Sequence, residues 1–152
     1  MNRKNILWVD DDIDRFALMA DRDELESRGC KIIMAPRSED LLKVLREQIL
    51  QIDCIIIDIS MPIGELDMEE AKYGMRTGFA LIKKIRESDS IYKDTPIIVY
   101  TVIGDDDVRQ YCKDNDILYL NKSSVSSEGF ADFVMKQLND HPHYAEKNLE
   151  EA

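Results

Sequence analysis

The chain has 152 residues, of which 44% are apolar and 34% are charged, and its formal net charge is −11. This length suffices for one domain with its own core and is short for two. A chain this acidic repels nucleic acid and anionic lipid. We therefore expect neither direct DNA binding nor membrane association. No apolar run is as long as a membrane span, and three widely spaced cysteines indicate a reducing, cytoplasmic compartment.

Short apolar runs alternate along the chain with longer amphipathic stretches. In chain order, the predicted strands cover residues 6–9, 31–35, 54–57, 96–100 and 117–120. The predicted helices cover residues 13–28, about 38–49, about 77–85, 105–113 and 128–138. Continuous apolar strands that alternate with helices indicate a parallel sheet with helices on both faces. Residues 1–140 are therefore one predicted domain, and residues 141–152 are a polar tail.

The predicted helices have candidate caps and buried faces. Ser38 and Thr77 are the expected N-caps of the second and third helices, and Gly29 is the expected end of the first. The predicted buried faces consist of Ile13, Phe16, Ala17 and Ala20 in the first helix and of Leu41, Leu42, Leu45 and Ile49 in the second. Trp8, on the first strand, is a predicted core residue.

Polar side chains stand where four of the predicted strands end. The first strand is followed by Asp10, Asp11 and Asp12, the third by Asp58, the fourth by Thr101 and the fifth by Asn121 and Lys122. Ligands bind beyond the carboxyl ends of parallel strands, so these groups should meet. Clustered carboxylates repel one another unless a cation compensates them, and an oxygen-only ligand set selects a hard ion, usually Mg²⁺. A carboxylate nucleophile, a metal, an ammonium and a hydroxyl are the functional groups that phosphoryl transfer uses.

Four motifs at these strand ends together resemble the response-regulator receiver domain of two-component signalling. They are Val9-Asp10-Asp11, Asp58-Ile59-Ser60-Met61-Pro62, Ile97-Ile98-Val99-Tyr100-Thr101 and Tyr119-Leu120-Asn121-Lys122. The resemblance covers about residues 4–140. It implies an α/β, doubly wound, flavodoxin-like sheet of five parallel strands in the order 2-1-3-4-5.

The resemblance implies which residues would bind the phosphoryl group and the metal. Asp58 would be the phosphoacceptor and also a metal ligand. Asp11 would be a direct ligand of Mg²⁺, Asp10 would lie farther from the ion, and Ser60 would offer its backbone carbonyl. These roles come from the matching positions of the family motif and are expectations for this chain.

The remaining residues of the motifs are implied to sense the phosphoryl group. Lys122 would pair with it, Thr101 would move its hydroxyl toward it, and Tyr119 would turn inward on activation. Asp12 has no counterpart in this scheme, and we expect it only to cap the first helix.

The implied function is that of a phosphorelay receiver rather than a metabolic enzyme. The phosphoryl donor would be the phosphohistidine of a sensor histidine kinase or phosphotransfer protein, and the output would be contact with a downstream protein effector. Two alternatives stay open. A Mg²⁺-dependent aspartyl-phosphate phosphohydrolase would need a second acid where Ser60 stands, and a phosphorylation-independent adaptor would keep the fold alone.

The sequence departs from the family pattern at three places. Ser123 follows Lys122 where the family usually has proline, which favours a trans peptide bond there because cis costs about 2.5–4 kcal/mol before other residues. Val102 follows Thr101 where a smaller residue is usual, so it could narrow access to an acyl phosphate. An acidic insertion at about residues 63–76 is too long for an ordinary strand–helix connection, and we expect it to govern partner choice.

Overall fold

The computed structural model describes residues 3–13, 15–62, 76–87 and 89–140. The strands are β1 (Lys4–Val9), β2 (Cys30–Ala35), β3 (Cys54–Ile57), β4 (Ile97–Thr101) and β5 (Leu118–Asn121). The helices are α1 (Phe16–Ser27), α2 (Ser38–Glu47), α3 (Thr77–Ile85), α4 (Asp106–Asp114) and α5 (Ser127–Asp140). The insertion, apart from Arg76, and the tail lie outside the described residues. Within the described ranges, no helix is long and apolar enough to cross a membrane.

The five strands form one parallel sheet in the order β2-β1-β3-β4-β5, which confirms the predicted fold. At the carboxyl edge Val9 pairs with both Ala35 and Ile57, and Thr101 pairs with Asn121. The residues that follow these strands therefore leave the sheet at one edge.

Buried side chains cover both faces of the sheet because successive strand residues point to opposite sides. One cluster joins strand residues such as Leu7 and Ile57 to apolar residues of α2, α3 and α4. The other joins Trp8 and Ile56 to residues of α1 and α5. Trp8 is fully buried, as predicted.

Helix α1 buries a different face from the one predicted. Phe16 is 87% exposed and Ala20 is also exposed, so the prediction was wrong for both. The helix begins at Phe16 rather than at residue 13. Among its residues whose burial is described, which leaves out Ala17, it buries Leu18, Asp21 and Leu25, at helical spacings of three and four. Ile13 is buried, but in the turn before the helix.

The predicted caps of three helices were also wrong. The cap position of α1 is Arg15, and the Asp12 carboxylate lies 3.1 Å from the Arg15 Nε. Ser38 and Thr77 are the first residues of their helices, with arginine at each cap position. Ser38 and Thr77 lie one residue beyond the cap position, so their hydroxyls do not act as caps. The cap position is set by where the backbone changes from extended to helical conformation.

The end of α2 leaves Ile49 outside the core, contrary to the prediction. The helix ends at Glu47, and Gln48 has a left-handed backbone conformation with φ of 51°. The chain therefore leaves the helical path before Ile49, which is 77% exposed. The end predicted for α1 is confirmed, because Gly29 follows that helix with φ of 94°.

Candidate functional site

One lysine joins two carboxylates at the carboxyl edge of the sheet. Lys122 Nζ lies 2.7 Å from Asp10 Oδ2 and 2.8 Å from Asp58 Oδ2. Asp10 is fully buried and Asp58 is 6% exposed. The three residues follow β1, β3 and β5, so their meeting depends on the register of three strands.

The backbone and side-chain bonds of Asp58 fix its carboxylate. Its N–H donates to the Val9 carbonyl at 3.0 Å, which continues the pairing of β3 with β1 by one residue. The Ser60 N–H donates to Asp58 Oδ1 at 3.3 Å, while Lys122 holds Oδ2. Both oxygens of the carboxylate are therefore oriented by the protein.

Negative charge accumulates beside Asp58. The carboxylates of Asp10, Asp11 and Asp12 have oxygen atoms within 4.8 Å of one another. Burial and then the charge of Asp58 raise the pKa of Asp10 to about 6, although Lys122 acts in the opposite direction. The pKa of Asp11 is also raised, first by burial and then by the charges of Asp12 and Asp58.

The donor set fits a hard divalent cation. Asp10, Asp11 and Asp58 bring three negative charges against the single positive charge of Lys122, a net of −2. All of these ligand atoms are carboxylate oxygens, which suit magnesium or calcium rather than a soft metal. A bound cation would offset the repulsion that, after burial, raises the pKa values of Asp10 and Asp11. Asp12, by contrast, is already paired with Arg15.

The Thr101 hydroxyl is engaged with the loop that follows it. Thr101 is fully buried at the end of β4, and its Oγ1 accepts from the Ile103 N–H at 3.3 Å. Its carbonyl accepts from the Lys122 N–H at 2.9 Å. The Thr101 backbone is therefore bonded to Lys122 of the site, whereas the Thr101 hydroxyl is bonded to the β4–α4 loop. Val102 is 62% exposed.

Tyr119 lies half-buried on the far side of that loop. Its ring packs against the core, and its hydroxyl donates to the Ile103 carbonyl at 2.8 Å. The Asn121 amide nitrogen donates to the same hydroxyl at 3.1 Å. The described residues contain no cis peptide bond, so the bond between Lys122 and Ser123 is trans.

Gly78 is a site-building residue that the sequence interpretation missed. Its N–H donates to the Ile59 carbonyl at 2.8 Å. A Cβ at this position would lie 2.5 Å from the Asp58 carbonyl oxygen and 2.6 Å from Ile59 Cα. Only glycine lets α3 approach the turn after Asp58 so closely. A glycine in the first turn of a predicted helix was the available signal, since it costs about 1 kcal/mol relative to alanine.

Thr77 supports the same turn. Its Oγ1 donates to the Met61 carbonyl at 2.6 Å, and the side chain is fully buried. The first two residues of α3 therefore both bond to the segment after β3, one through its hydroxyl and one through its backbone.

A family model described as the response regulator receiver domain matches residues 6–131. This range includes every residue of the site described above. The chain belongs to the response regulator receiver domain family. Receiver domains bind Mg²⁺ at an acidic pocket, and in this receiver domain the carboxylate oxygens of Asp10, Asp11 and Asp12 lie close together at the edge of the sheet.

Solved structures resemble this receiver domain over most of its length. The chemotaxis protein CheY4 of Vibrio cholerae is 25% identical with a TM-score of 0.65, covering 89% of this chain and 98% of that chain. A response regulator from Thermotoga maritima is 21% identical with a TM-score of 0.67, over 91% and 99%. The RcsB response regulator of Salmonella typhimurium is 23% identical with a TM-score of 0.69, over 92% and 61%. No curated protein matches the chain.

Proposed function

We propose that this receiver domain accepts a phosphoryl group on Asp58 from a phosphohistidine donor in a Mg²⁺-dependent reaction. The observation that carries the proposal is the Lys122 ammonium between the buried carboxylates of Asp10 and Asp58. A charged group is costly to bury unless it is used or paired, and here one cation must serve two anions. The excess negative charge favours a divalent cation, and that cation together with Lys122 would offset the negative charge of an incoming phosphoryl group.

The residues proposed to hold the ion are Asp11 and Asp58 directly, Asp10 at greater distance, and Ser60 through its backbone carbonyl. When bound, Mg²⁺ supplies positive charge against the phosphoryl oxygens. The ammonium of Lys122 is already within hydrogen-bond distance of Asp58 and would pair with an oxygen of the incoming group.

In the proposed reaction an Asp58 carboxylate oxygen attacks the phosphorus of the phosphohistidine. A phosphorus–oxygen bond forms, the phosphorus–nitrogen bond breaks, and its electron pair stays on the imidazole nitrogen of the donor. The Ser60 N–H and Lys122 keep the carboxylate in one orientation, which lowers the entropic cost of the attack. Water later hydrolyses the acyl phosphate and restores Asp58.

The output of this cycle is a change in a protein-binding surface. Thr101 and Tyr119 contact the same loop, since the Thr101 hydroxyl accepts from the Ile103 N–H and the Tyr119 hydroxyl donates to the Ile103 carbonyl. A Thr101 hydroxyl that turned to a phosphoryl group would release the Ile103 N–H. The proposed effector is a protein that contacts α4 and β5, and the proposed donor is a sensor histidine kinase or phosphotransfer protein in the cytoplasm.

Mass spectrometry of the full chain after incubation with acetyl phosphate and Mg²⁺ tests the proposal. We expect one added phosphoryl group, located on Asp58 by borohydride trapping and peptide mapping, and no addition without Mg²⁺. Asp58→Asn should lose the label, whereas Asp53→Asn, at the opposite end of β3, should keep it. Labelling of Asp58→Asn at the wild-type level would overturn the assignment.

A phosphorylation-independent adaptor is the second candidate, and one observation favours it. Tyr119 is turned toward the core, and its hydroxyl donates to the Ile103 carbonyl, so contacts within the chain are enough to hold this orientation. A partner that binds wild type and Asp58→Asn with equal affinity, with and without beryllofluoride and Mg²⁺, would support this candidate. Turnover of p-nitrophenyl phosphate would instead support a phosphohydrolase, which the serine at position 60 makes unfavourable.

A further inference from the structure

The Asn121 side chain forms hydrogen bonds through both its oxygen and its nitrogen. Its Oδ1 accepts from the Ser123 N–H at 2.8 Å, and its Nδ2 donates to the Tyr119 hydroxyl at 3.1 Å and, over a longer 3.5 Å, to the Val102 carbonyl. Asn121 and Tyr119 are two residues apart on β5, so their side chains lie on the same face of the strand. Lys122 follows directly and bonds to the carboxylates. One neutral amide thus stands between the lysine loop and Tyr119.

The bond to Ser123 depends on a residue that departs from the family pattern. Proline, which is usual at this position, has no N–H and could not donate to Asn121 Oδ1. Ser124 adds two further bonds, because its N–H and its hydroxyl donate to the Asn121 carbonyl at 3.1 Å and 2.9 Å. The loop that carries Lys122 is therefore fixed to Asn121 by three hydrogen bonds. Asn and Asp favour such local turns of the backbone.

The bond to Tyr119 reaches the β4–α4 loop. The Tyr119 hydroxyl accepts from Asn121 and donates to the Ile103 carbonyl. A Cβ on Gly104 would lie 3.0 Å from Asn121 Nδ2 and 3.2 Å from the Tyr119 hydroxyl, so this loop packs tightly on the pair. The contacts run without a break from the lysine loop to the loop that follows Thr101.

We propose that Asn121 is a positioning residue that holds Tyr119 inward and ties that orientation to the lysine loop. The inference rests on the proposed function for what the orientation controls. Because the amide bonds to both partners at once, a shift of the lysine loop moves Tyr119, and a shift of Tyr119 moves the lysine loop.

Fluorine NMR of the full chain labelled with 3-fluorotyrosine tests this proposal. The chain has six tyrosines, and Tyr119→Phe identifies the resonance of Tyr119. In wild type we expect this resonance to change little on addition of beryllofluoride and Mg²⁺. In Asn121→Ala without these additives, the ratio of inward to outward Tyr119 should fall about fivefold, the effect of one neutral hydrogen bond of about 1 kcal/mol.

Two substitutions at Ser123 test the other half of the coupling. Ser123→Pro removes the N–H that Asn121 Oδ1 accepts, whereas Ser123→Ala keeps it. We expect the proline variant to move the Tyr119 resonance toward that of Asn121→Ala, and the alanine variant to match wild type. This comparison remains valid if Asn121→Ala does not fold, which circular dichroism would show.

An unchanged Tyr119 resonance in folded Asn121→Ala would overturn the proposal, and so would equal effects of Ser123→Pro and Ser123→Ala. The test is separate from that of the proposed function. Failure of beryllofluoride to bind wild type would overturn the proposed function, yet the comparison of the unphosphorylated variants would still decide the role of Asn121.

Discussion

Lys122 and Asp58 are joined across the sheet by a contact of 2.8 Å between Nζ and Oδ2, and the same ammonium lies 2.7 Å from Asp10. The two carboxylates arrive from neighbouring strands and would repel each other without this cation. Burial alone lowers the pKa of Lys122, but the charges of Asp58 and Asp10 outweigh it, so the pKa is raised and the ammonium stays charged. The site is thus held together by the group proposed to act on the phosphoryl group.

Lys122→Met should destabilise the metal-free protein at pH 8 by about 2–3 kcal/mol, below the usual cost of an unpaired buried charge because the lysine is partly exposed. At pH 5 the loss of stability should be smaller, because Asp10 can then be protonated and no longer needs the positive charge of Lys122. Urea unfolding at both pH values measures the difference. Lys136→Met, on the exposed side of α5, is the control. Equal losses at the two pH values would contradict the electrostatic explanation.

Asp10→Asn should stabilise the metal-free protein above pH 6. The folded state raises the pKa of Asp10 from 3.8 to about 6, so folding favours the protonated form. The stabilisation from that proton is complete below pH 4 and is lost as pH rises through 6. The asparagine variant should therefore gain up to about 3 kcal/mol over wild type by pH 7.5.

Denaturant unfolding between pH 4 and pH 8 measures this gain, with the exposed Asp23→Asn as the control. Mg²⁺ at millimolar concentration should stabilise wild type at pH 7.5 and stabilise Asp10→Asn less. A difference between wild type and Asp10→Asn that does not vary with pH would show that burial of Asp10 is not its origin.

Gly78→Ala should damage both stability and labelling. The added methyl group would meet the Asp58 carbonyl oxygen and the Ile59 Cα, which are backbone atoms, so α3 or the turn after Asp58 must move. We expect a loss of about 2–4 kcal/mol in the free energy of unfolding and slower labelling by acetyl phosphate. Gly129→Ala, also within a helix, would meet only side-chain atoms, Ser126 Oγ at 3.3 Å and Val125 Cβ at 3.9 Å, and should change stability by less than about 1 kcal/mol. A wild-type labelling rate in folded Gly78→Ala would argue against a role of this contact in placing Asp58.

Val102→Ala should shorten the lifetime of the acyl phosphate severalfold. Val102 is 62% exposed and directly follows Thr101, so we expect its branched side chain to narrow the approach to Asp58 without contributing a charge. A smaller side chain should open the approach of water. The loss of label after removal of acetyl phosphate gives the rate in both proteins. Equal lifetimes would reject steric shielding by Val102.

Replacing residues 64–75 by a short Asn-Gly turn should leave acetyl phosphate labelling unchanged and weaken transfer from a cognate kinase. Arg76 is kept because its Nη2 lies 2.9 Å from Asp105, the N-cap of α4. The acidic insertion should slow encounter with acidic donors and favour basic ones, an effect that salt reduces. Unchanged transfer from every kinase tested would make the insertion a passive loop.

The positions of the charged groups of the site could be predicted from the sequence, because they depend on which residues directly follow each strand. Apolar runs fix where each strand ends, and parallel strands bring their carboxyl ends to one edge. Asp10, Asp58 and Lys122 each follow such a run, so their meeting needed only the fold to be right.

Contacts between segments distant in the sequence were decided only by tertiary structure. The start of α1 set which residues face the core, and so Phe16 is exposed although its spacing suited burial. Gly78 was recognisable as unusual in a helix, but only the approach of α3 to Asp58 gives the reason. The Tyr119 hydroxyl meets the Ile103 carbonyl because β5 pairs with β4 and so lies beside the loop that follows Thr101. The periodicity of a sequence does not give the distance between two such groups. Hydrogen bonds depend on differences of tenths of an ångström in that distance, so they could not be predicted from it.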